Sequence, residues 1–333
     1  MKKTLCRACI LCLALTLLCP LLAACGGEEE DGDVRTLEGF AFDTYYAFTV
    51  YGGDDALKGA LTAQIAEMET LFDAHGEDCI FHAKNPAVLT EEQAMLASLI
   101  EQSILLSRET NGHFDPTLGA LKRLFALDDP TAPLPSDAAI EAARAHSGIS
   151  CISYDARTMT LTRKSDSTLL DFGAIAKGFA LSRLTALCLE HGATGGMLDF
   201  GGTVSVFGEK KEGTPYKIGV RGDGTLIGTL TVKDAAVISV SSSYERYKEF
   251  DGVRYSHIFD PATGRPAESD LALVLVSHED GAIADAYSTA LYVMGKEKAR
   301  AFCEGRGVAA VLVACDGSVT VCGDLDYTER KGS

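Results

Sequence analysis

Within residues 255–266, YSHIFDPATGRP, the chain has to stop one strand and turn. Pro261 lacks the backbone N–H that a continuing strand would use, and Gly264 accepts the backbone angles of a tight turn. The residues ahead of the turn read as extended, and side chains alternate along a strand. His257 and Phe259 are therefore expected on one face, Ile258 and Asp260 on the other. A histidine at a strand end beside a turn suits proton transfer near neutral pH. It can equally cap backbone groups of the turn, so the segment alone does not separate the two roles.

The same reading extends along the chain. Residues 36–51 are rich in aromatic and β-branched side chains and read as a strand. Asp54 or Asp55 can cap a helix to about residue 72, with Leu57, Leu61, Ile65, Met68 and Leu71 on its apolar face. Helices are also expected over 89–108, capped by Thr90, over 136–145, and from the glycine of DFGAIAKG to about residue 190. Strands are expected at 149–153 and 158–163, then as short pieces with glycine turns from 196 to 260. After a strand at 272–277, helical patterns cover 282–294 and 296–304, and a hairpin turns at Asp316-Gly317. Helices and antiparallel strands fall in separate groups, which favours an α+β class. With no internal repeat and no interior linker, one domain is expected over 36–328.

The 333 residues carry 47 acidic and 30 basic side chains, for a formal net charge of -17. Nucleic acid is a poor partner for such a chain, because a phosphate backbone needs a basic face. An anionic substrate would need local help from lysines, helix N-termini or a metal. At the N-terminus Lys2, Lys3 and Arg7 precede an apolar run ending in LAAC at residues 22–25. The run has the length of a signal h-region rather than of a membrane span. Small residues before Cys25 resemble a bacterial lipoprotein cleavage box. Residues 1–24 are then a signal peptide, Cys25 carries lipid, and 25–35 form an acidic tether to an extracytoplasmic membrane face. Six cysteines remain beyond Cys25, and their spacings match no zinc pattern; buried free thiols or disulfides are both open.

Four segments, NGHFDPTLGAL, LDFGAIAKGFA, YSHIFDPATGRP and IADAYSTALYVMG, occur in this order together with LDFGGT at residues 198–203. In the last, Asp285 and Thr289 are four apart and share a helical face near its start. A carboxylate and a hydroxyl can offer two hard oxygens to Mg²⁺; they can also complement the helix terminus and pack. Lys177 sits at a glycine-flanked helix start that suits a pyrophosphate, or it is simply solvated. Gly201-Gly202 permits close backbone approach to a ligand, or forms a plain turn.

Together the segments resemble the ApbE family of FAD:protein FMN transferases, which are often exported lipoproteins. The resemblance implies a single T-fold-like α+β domain of mixed or antiparallel sheets packed with helices. It implies a Mg²⁺ site from Asp285, Thr289 and the Ala174 carbonyl. It implies an FAD site lined by His113, Phe114, Asp115, Asp171, Lys177 and Ser288, with Phe42, Asp43 and Thr44 aligned to a flavin-contacting N-terminal strand. His257 becomes the general base that activates an acceptor hydroxyl. The implied reaction moves FMN from FAD to a Thr or Ser of a flavoprotein and releases AMP. Implied acceptors resemble flavin-bearing subunits of Rnf-type or sodium-pumping NADH:quinone reductase complexes. Two other readings remain open from sequence: a Mg²⁺-dependent FAD pyrophosphatase giving FMN and AMP, and a lipoprotein that binds FAD without chemistry. The chain departs from the family pattern in SVSSSYERY, residues 239–247, which lacks a glycine many relatives carry, and in the loosely matching segment 72–85.

Overall fold

The computed structural model describes residues 34–73, 79, 84–129, 131–210, 213–244 and 246–330. The expected signal peptide, Cys25 and most of the tether lie outside these residues, as does most of segment 72–85. The tether's last two positions, Val34 and Arg35, already belong to the first strand.

Residues 36–51 do not make one strand. Val34–Ala41 (β1) and Thr44–Gly52 (β2) pair antiparallel as a hairpin. Phe42 and Asp43 turn it at φ of 53° and 56°. A two-residue I′ loop requires that sign at both positions, usually from Asn or Gly, and neither is there to signal the turn. Helix α1 (Leu57–Phe72) buries Leu57, Leu61, Ile65, Met68 and Phe72, one stripe at helical spacing. Strand β3 (Ala87–Val88) follows. Helix α2 (Ala94–Glu109) starts behind a short 3₁₀ turn, where the Thr90 N–H donates to Gln93 Oε1 at 3.0 Å. Helix α3 (Gly119–Phe125) was not foreseen, because its seven residues are too few to display a period. Helix α4 (Asp137–Arg144) starts where Ser136 Oγ accepts the Ala139 N–H. Strands β4 (Ile152–Asp155) and β5 (Thr160–Arg163) join β3 in a small sheet.

Helix α5 (Ala176–Glu190) leads into the main sheet through β6 (Ala193–Phe200) and β7 (Thr203–Gly208). Then come β8 (Tyr216–Gly222), β9 (Thr225–Val232), β10 (Ala236–Ser242), β11 (Tyr247–Phe250) and β12 (Val253–Ser256). Strands β13 (Phe259–Asp260) and β14 (Arg265–Pro266) flank the turn at Pro261. Its geometry is the expected one: Gly264 sits at φ 69° and its N–H donates to the Asp260 carbonyl at 2.8 Å. Strand β15 (Leu271–His278), helices α6 (Gly281–Met294) and α7 (Lys296–Arg306), and strands β16 (Ala309–Ala314), β17 (Val319–Cys322) and β18 (Asp326–Glu329) complete the chain.

Eight strands form one antiparallel sheet in the order β1-β2-β6-β7-β10-β15-β16-β17. Helices α5 and α6 pack on one face of it. On the other face lie β8 and β9, extended by β18 into a three-stranded sheet, and their apolar residues form a second core. Alternate residues of β15 feed the two sides: Val274 and Val276 join the helical core, Leu273 and Leu275 the other. Six consecutive residues of β15 are therefore buried, a pattern that a strand covered on both faces requires. The class is α+β, as the grouping of elements predicts.

The two helices touch at glycine. A Cβ on Gly178 of α5 would collide with the Gly281 backbone of α6 and lie 2.7 Å from Asp285 Cβ. A Cβ on Gly281 would collide with Gly178 in turn. This close crossing brings the start of α5 against the first turns of α6, at the edge of the cavity described next.

Candidate active site

A cavity of about 1650 Å³ opens where the separated segments meet. His113, Phe114 and Asp115 reach it from the loop after α2, and Lys122 from α3. Asp171 and Ala174 come from the turn before α5, and Lys177 from the first turn of that helix. Gly201 and Gly202 contribute the β6–β7 turn, Arg246 and His257 flank the β11–β12 hairpin, and Asp285 and Thr289 lie on α6. Phe42, Asp43 and Thr44 form its rim at the β1–β2 turn.

Asp285 is fixed from two sides. Its Oδ2 accepts the Gly178 N–H at 3.0 Å, and its Oδ1 accepts from Ser239 Oγ at 2.7 Å. Each oxygen retains acceptor capacity beyond that one bond. The side chain is 4% exposed, so this carboxylate is placed by the glycine crossing rather than solvated on a helix surface. Thr289 stands one turn on, its hydroxyl 3.2 Å from Ser241 Oγ. Helical spacing puts both oxygens on the cavity side, and Ala174 lines the same cavity.

His257 lies in neither flanking strand. Strand β12 ends at Ser256 and β13 starts at Phe259, so the alternation expected through 255–260 is broken. The His257 N–H instead donates to the Arg246 carbonyl at 3.1 Å, and Nδ1 lies 3.0 Å from the same oxygen. A carbonyl oxygen only accepts, so Nδ1 carries the proton and Nε2 keeps its lone pair. Burial, the largest cause, lowers the His257 pKa to about 4, and the nearby cations Lys122, Lys177 and Arg246 push in the same direction. The half-buried imidazole is thus neutral at pH 7 and able to accept a proton.

The three cations stand in the cavity among carboxylates, in a chain of net -17, and two of them are paired. Lys122 Nζ pairs with Asp171 Oδ1, and that oxygen also accepts the Gly173 N–H at 3.0 Å. Asp171 lies in the irregular run before α5. Arg246 reaches Asp128 at 3.3 Å and Asp43 at 3.8 Å, tying the hairpin to the opposite rim. Neither Lys122 nor Arg246 was singled out from sequence. Lys122 follows directly on NGHFDPTLGAL, and that adjacency is the one signal that points to it.

Of the expected contacts, Ser288 lies away from the cavity, while Phe114 and Asp115 line it and also have structural partners. Ser288 does not line the cavity. It is fully buried behind it, donating to the Asp285 carbonyl at 2.9 Å and lying 2.8 Å from Ser241 Oγ, so its role is to pack α6 on β10. Phe114 touches the cavity but is 1% exposed and belongs to the main core. Asp115 accepts from the Thr117 N–H and Oγ1 at 2.8 and 2.6 Å, and Thr117 Oγ1 in turn accepts the Gly148 N–H. Burial raises the Asp115 pKa. This carboxylate builds the loop that carries His113.

The model of the ApbE family matches residues 42–312. The FAD:protein FMN transferase of Salmonella typhimurium is 27% identical over 95% of this chain and 94% of its own. That of Rhodobacter capsulatus is 31% identical over 90% of this chain and 60% of its own. Among solved structures, the ApbE protein of Thermotoga maritima superimposes with a TM-score of 0.80 at 29% identity, covering 87% of this chain and 97% of that one. The flavinyl transferase ApbE of Pseudomonas stutzeri, in its apo form, gives 0.75 at 27% identity over 90% and 95%. The match spans every element that lines the cavity, and the chain belongs to the ApbE family.

Proposed function

We propose that this protein transfers FMN from FAD to a threonine or serine hydroxyl of an acceptor flavoprotein and releases AMP. The observation that carries the reading is one cavity holding a neutral histidine, a cluster of cations and a carboxylate–hydroxyl oxygen pair. His257 Nε2 takes the acceptor's hydroxyl proton. The resulting oxygen attacks the FMN-side phosphorus, the bond to the bridging oxygen breaks, and AMP departs with that oxygen. Lys177 and Arg246 offset the charge of the pyrophosphate. Gly201 and Gly202 let the ligand approach the backbone, and a Cβ at Gly201 would collide with Thr44 Oγ1.

Asp285, Thr289 and the Ala174 carbonyl fit Mg²⁺ by their chemistry, being hard oxygen donors on residues that line one cavity. Among the described residues no group of three or more His, Cys, Asp and Glu side chains gathers around a metal position. An ion that keeps water and phosphate ligands does not need one. Mg²⁺ bound there supplies neutralisation of the pyrophosphate and of the leaving group. Export and anchoring through lipid on Cys25 complete the reading, and the acceptors are then membrane or exported flavoproteins of the Rnf or sodium-pumping NADH:quinone reductase type.

The test is to incubate the protein with FAD and a candidate acceptor, with and without Mg²⁺, and to weigh the acceptor. A covalent FMN increment that requires Mg²⁺ and disappears in Asp285→Ala is expected. FMN and AMP released with the acceptor unmodified would make the enzyme a pyrophosphatase. Full transfer by Asp285→Ala would remove the carboxylate from the metal site.

A further inference from the structure

Buried hydroxyls crowd the strand behind Asp285. Alternation along β10 turns both Ser239 and Ser241 toward α6, and Ser239 stands opposite Thr203 of β7. Ser239, Thr203 and Ser288 are fully buried, and Ser241 is 7% exposed. Burying a hydroxyl costs free energy unless it is hydrogen-bonded, so aliphatic residues at these strand positions would make the simpler core.

Each hydroxyl has one hydrogen to give, and that fixes the direction of every contact. Ser239 gives its hydrogen to Asp285 Oδ1 at 2.7 Å. Thr203 Oγ1, 3.4 Å from Ser239 Oγ, is therefore the donor of that pair. Ser288 gives its hydrogen to the Asp285 carbonyl at 2.9 Å, so in its 2.8 Å contact with Ser241 it accepts. With the Ser241 hydrogen committed, Thr289 is the donor in the 3.2 Å contact between Thr289 Oγ1 and Ser241 Oγ. Two chains result. One runs from Thr203 through Ser239 to the Asp285 carboxylate, the other from Thr289 through Ser241 and Ser288 to the Asp285 carbonyl.

Given the assignment of Asp285 and Thr289 to the metal, on which this rests, we propose that Ser239 and Ser241 are positioning residues for the cation site. Ser241 draws the Thr289 hydrogen back into β10, and Ser239 holds the Asp285 carboxylate, so both side chains offer the cavity lone pairs alone. A hydroxyl hydrogen aimed into the cavity would meet a cation with its positive end; a threonine that donates backward meets it with oxygen. Outer partners of metal ligands fix ligand orientation in this manner. Residues 239–247, where the chain departs from the family pattern, supply both serines.

The test reads metal binding directly. The full chain, with FAD and no acceptor, is titrated with Mn²⁺, which takes the same oxygen donors as Mg²⁺, and free Mn²⁺ is followed by electron paramagnetic resonance. Ser241→Ala should weaken Mn²⁺ binding by about 10-fold or more, the usual effect of losing an outer partner of a metal ligand, and Ser239→Ala should do the same. FAD affinity without metal, by fluorescence titration, should stay within a few-fold of the parent in both. Parental Mn²⁺ binding by Ser241→Ala and Ser239→Ala, with Asp285→Ala unable to bind, overturns the proposal while Asp285 keeps its place as a ligand. Loss of FAD and Mn²⁺ binding together would make the serines structural and overturns it as well. Equal Mn²⁺ binding by the parent and Asp285→Ala removes the metal site itself, and the proposal with it.

Discussion

At the residue scale the site depends on what holds each functional atom. His257 can act as a base because the Arg246 carbonyl takes the Nδ1 proton and leaves Nε2 bare. Its pKa of about 4 has a measurable consequence. The profile of kcat/KM reports groups of the free enzyme, and a base with so low a pKa stays deprotonated down to low pH. The acid limb should lie near 4, with kcat/KM level from about pH 7 to about pH 5. An inflection near 6.5, the ordinary value for histidine, would mean that burial and the nearby cations do not depress the base, and its persistence in His257→Ala would assign it to another group. His257→Ala should lower the transfer rate by about 10²–10⁴-fold, the usual contribution of general acid–base catalysis, while FAD affinity measured by fluorescence titration stays within a few-fold. His257, Asp285, Thr289 and Lys177 were legible in the sequence because each sits inside a short motif. Ser288 lies outside the cavity because one residue along a helix turns a side chain by about 100°, here from the cavity to the core.

At the element scale the glycine contact between α5 and α6 decides whether the site exists. It sets the Gly178 N–H on Asp285 and lets the two helices share one cavity wall. In Gly178→Ala the new methyl meets the Gly281 backbone, which has no side chain to yield. We expect a loss of about 1–3 kcal/mol in urea unfolding, the usual cost of overpacking, with transfer reduced beyond what unfolding explains. An unchanged midpoint and unchanged activity would show that the helices separate freely. The sequence marked the start of α5 by glycines but gave no sign that they met a glycine of α6. The β1–β2 turn shows the opposite failure. Phe42-Asp43 carries no turn signature, so the hairpin merged into one apparent strand, and yet this turn forms the cavity rim.

At the scale of the whole molecule, the centre of the main sheet at β15 is buried on both faces, and only the helical face borders the cavity. Leu275 of β15 is fully buried on the other side, against β8 and β9. Leu275→Ala should cost about 2–5 kcal/mol in urea unfolding through the cavity it leaves. Transfer at saturating FAD and a temperature well below the melting point should stay near the parent rate. A large loss of rate without a loss of stability would mean that the second core is coupled to the site.

Taken by itself, the sequence determined the class of the fold, the stop at Pro261, and most of the candidate residues that the structure gathers around one cavity. Those signals are local: they depend on period, on proline and glycine, and on residue types a few positions apart. The cation cluster of Lys122, Lys177 and Arg246, the tautomer of His257 and the burial of Ser288 were decided only by the tertiary structure. Each of these depends on backbone or side chains brought together from distant parts of the chain, and spacing along a sequence carries no record of such meetings.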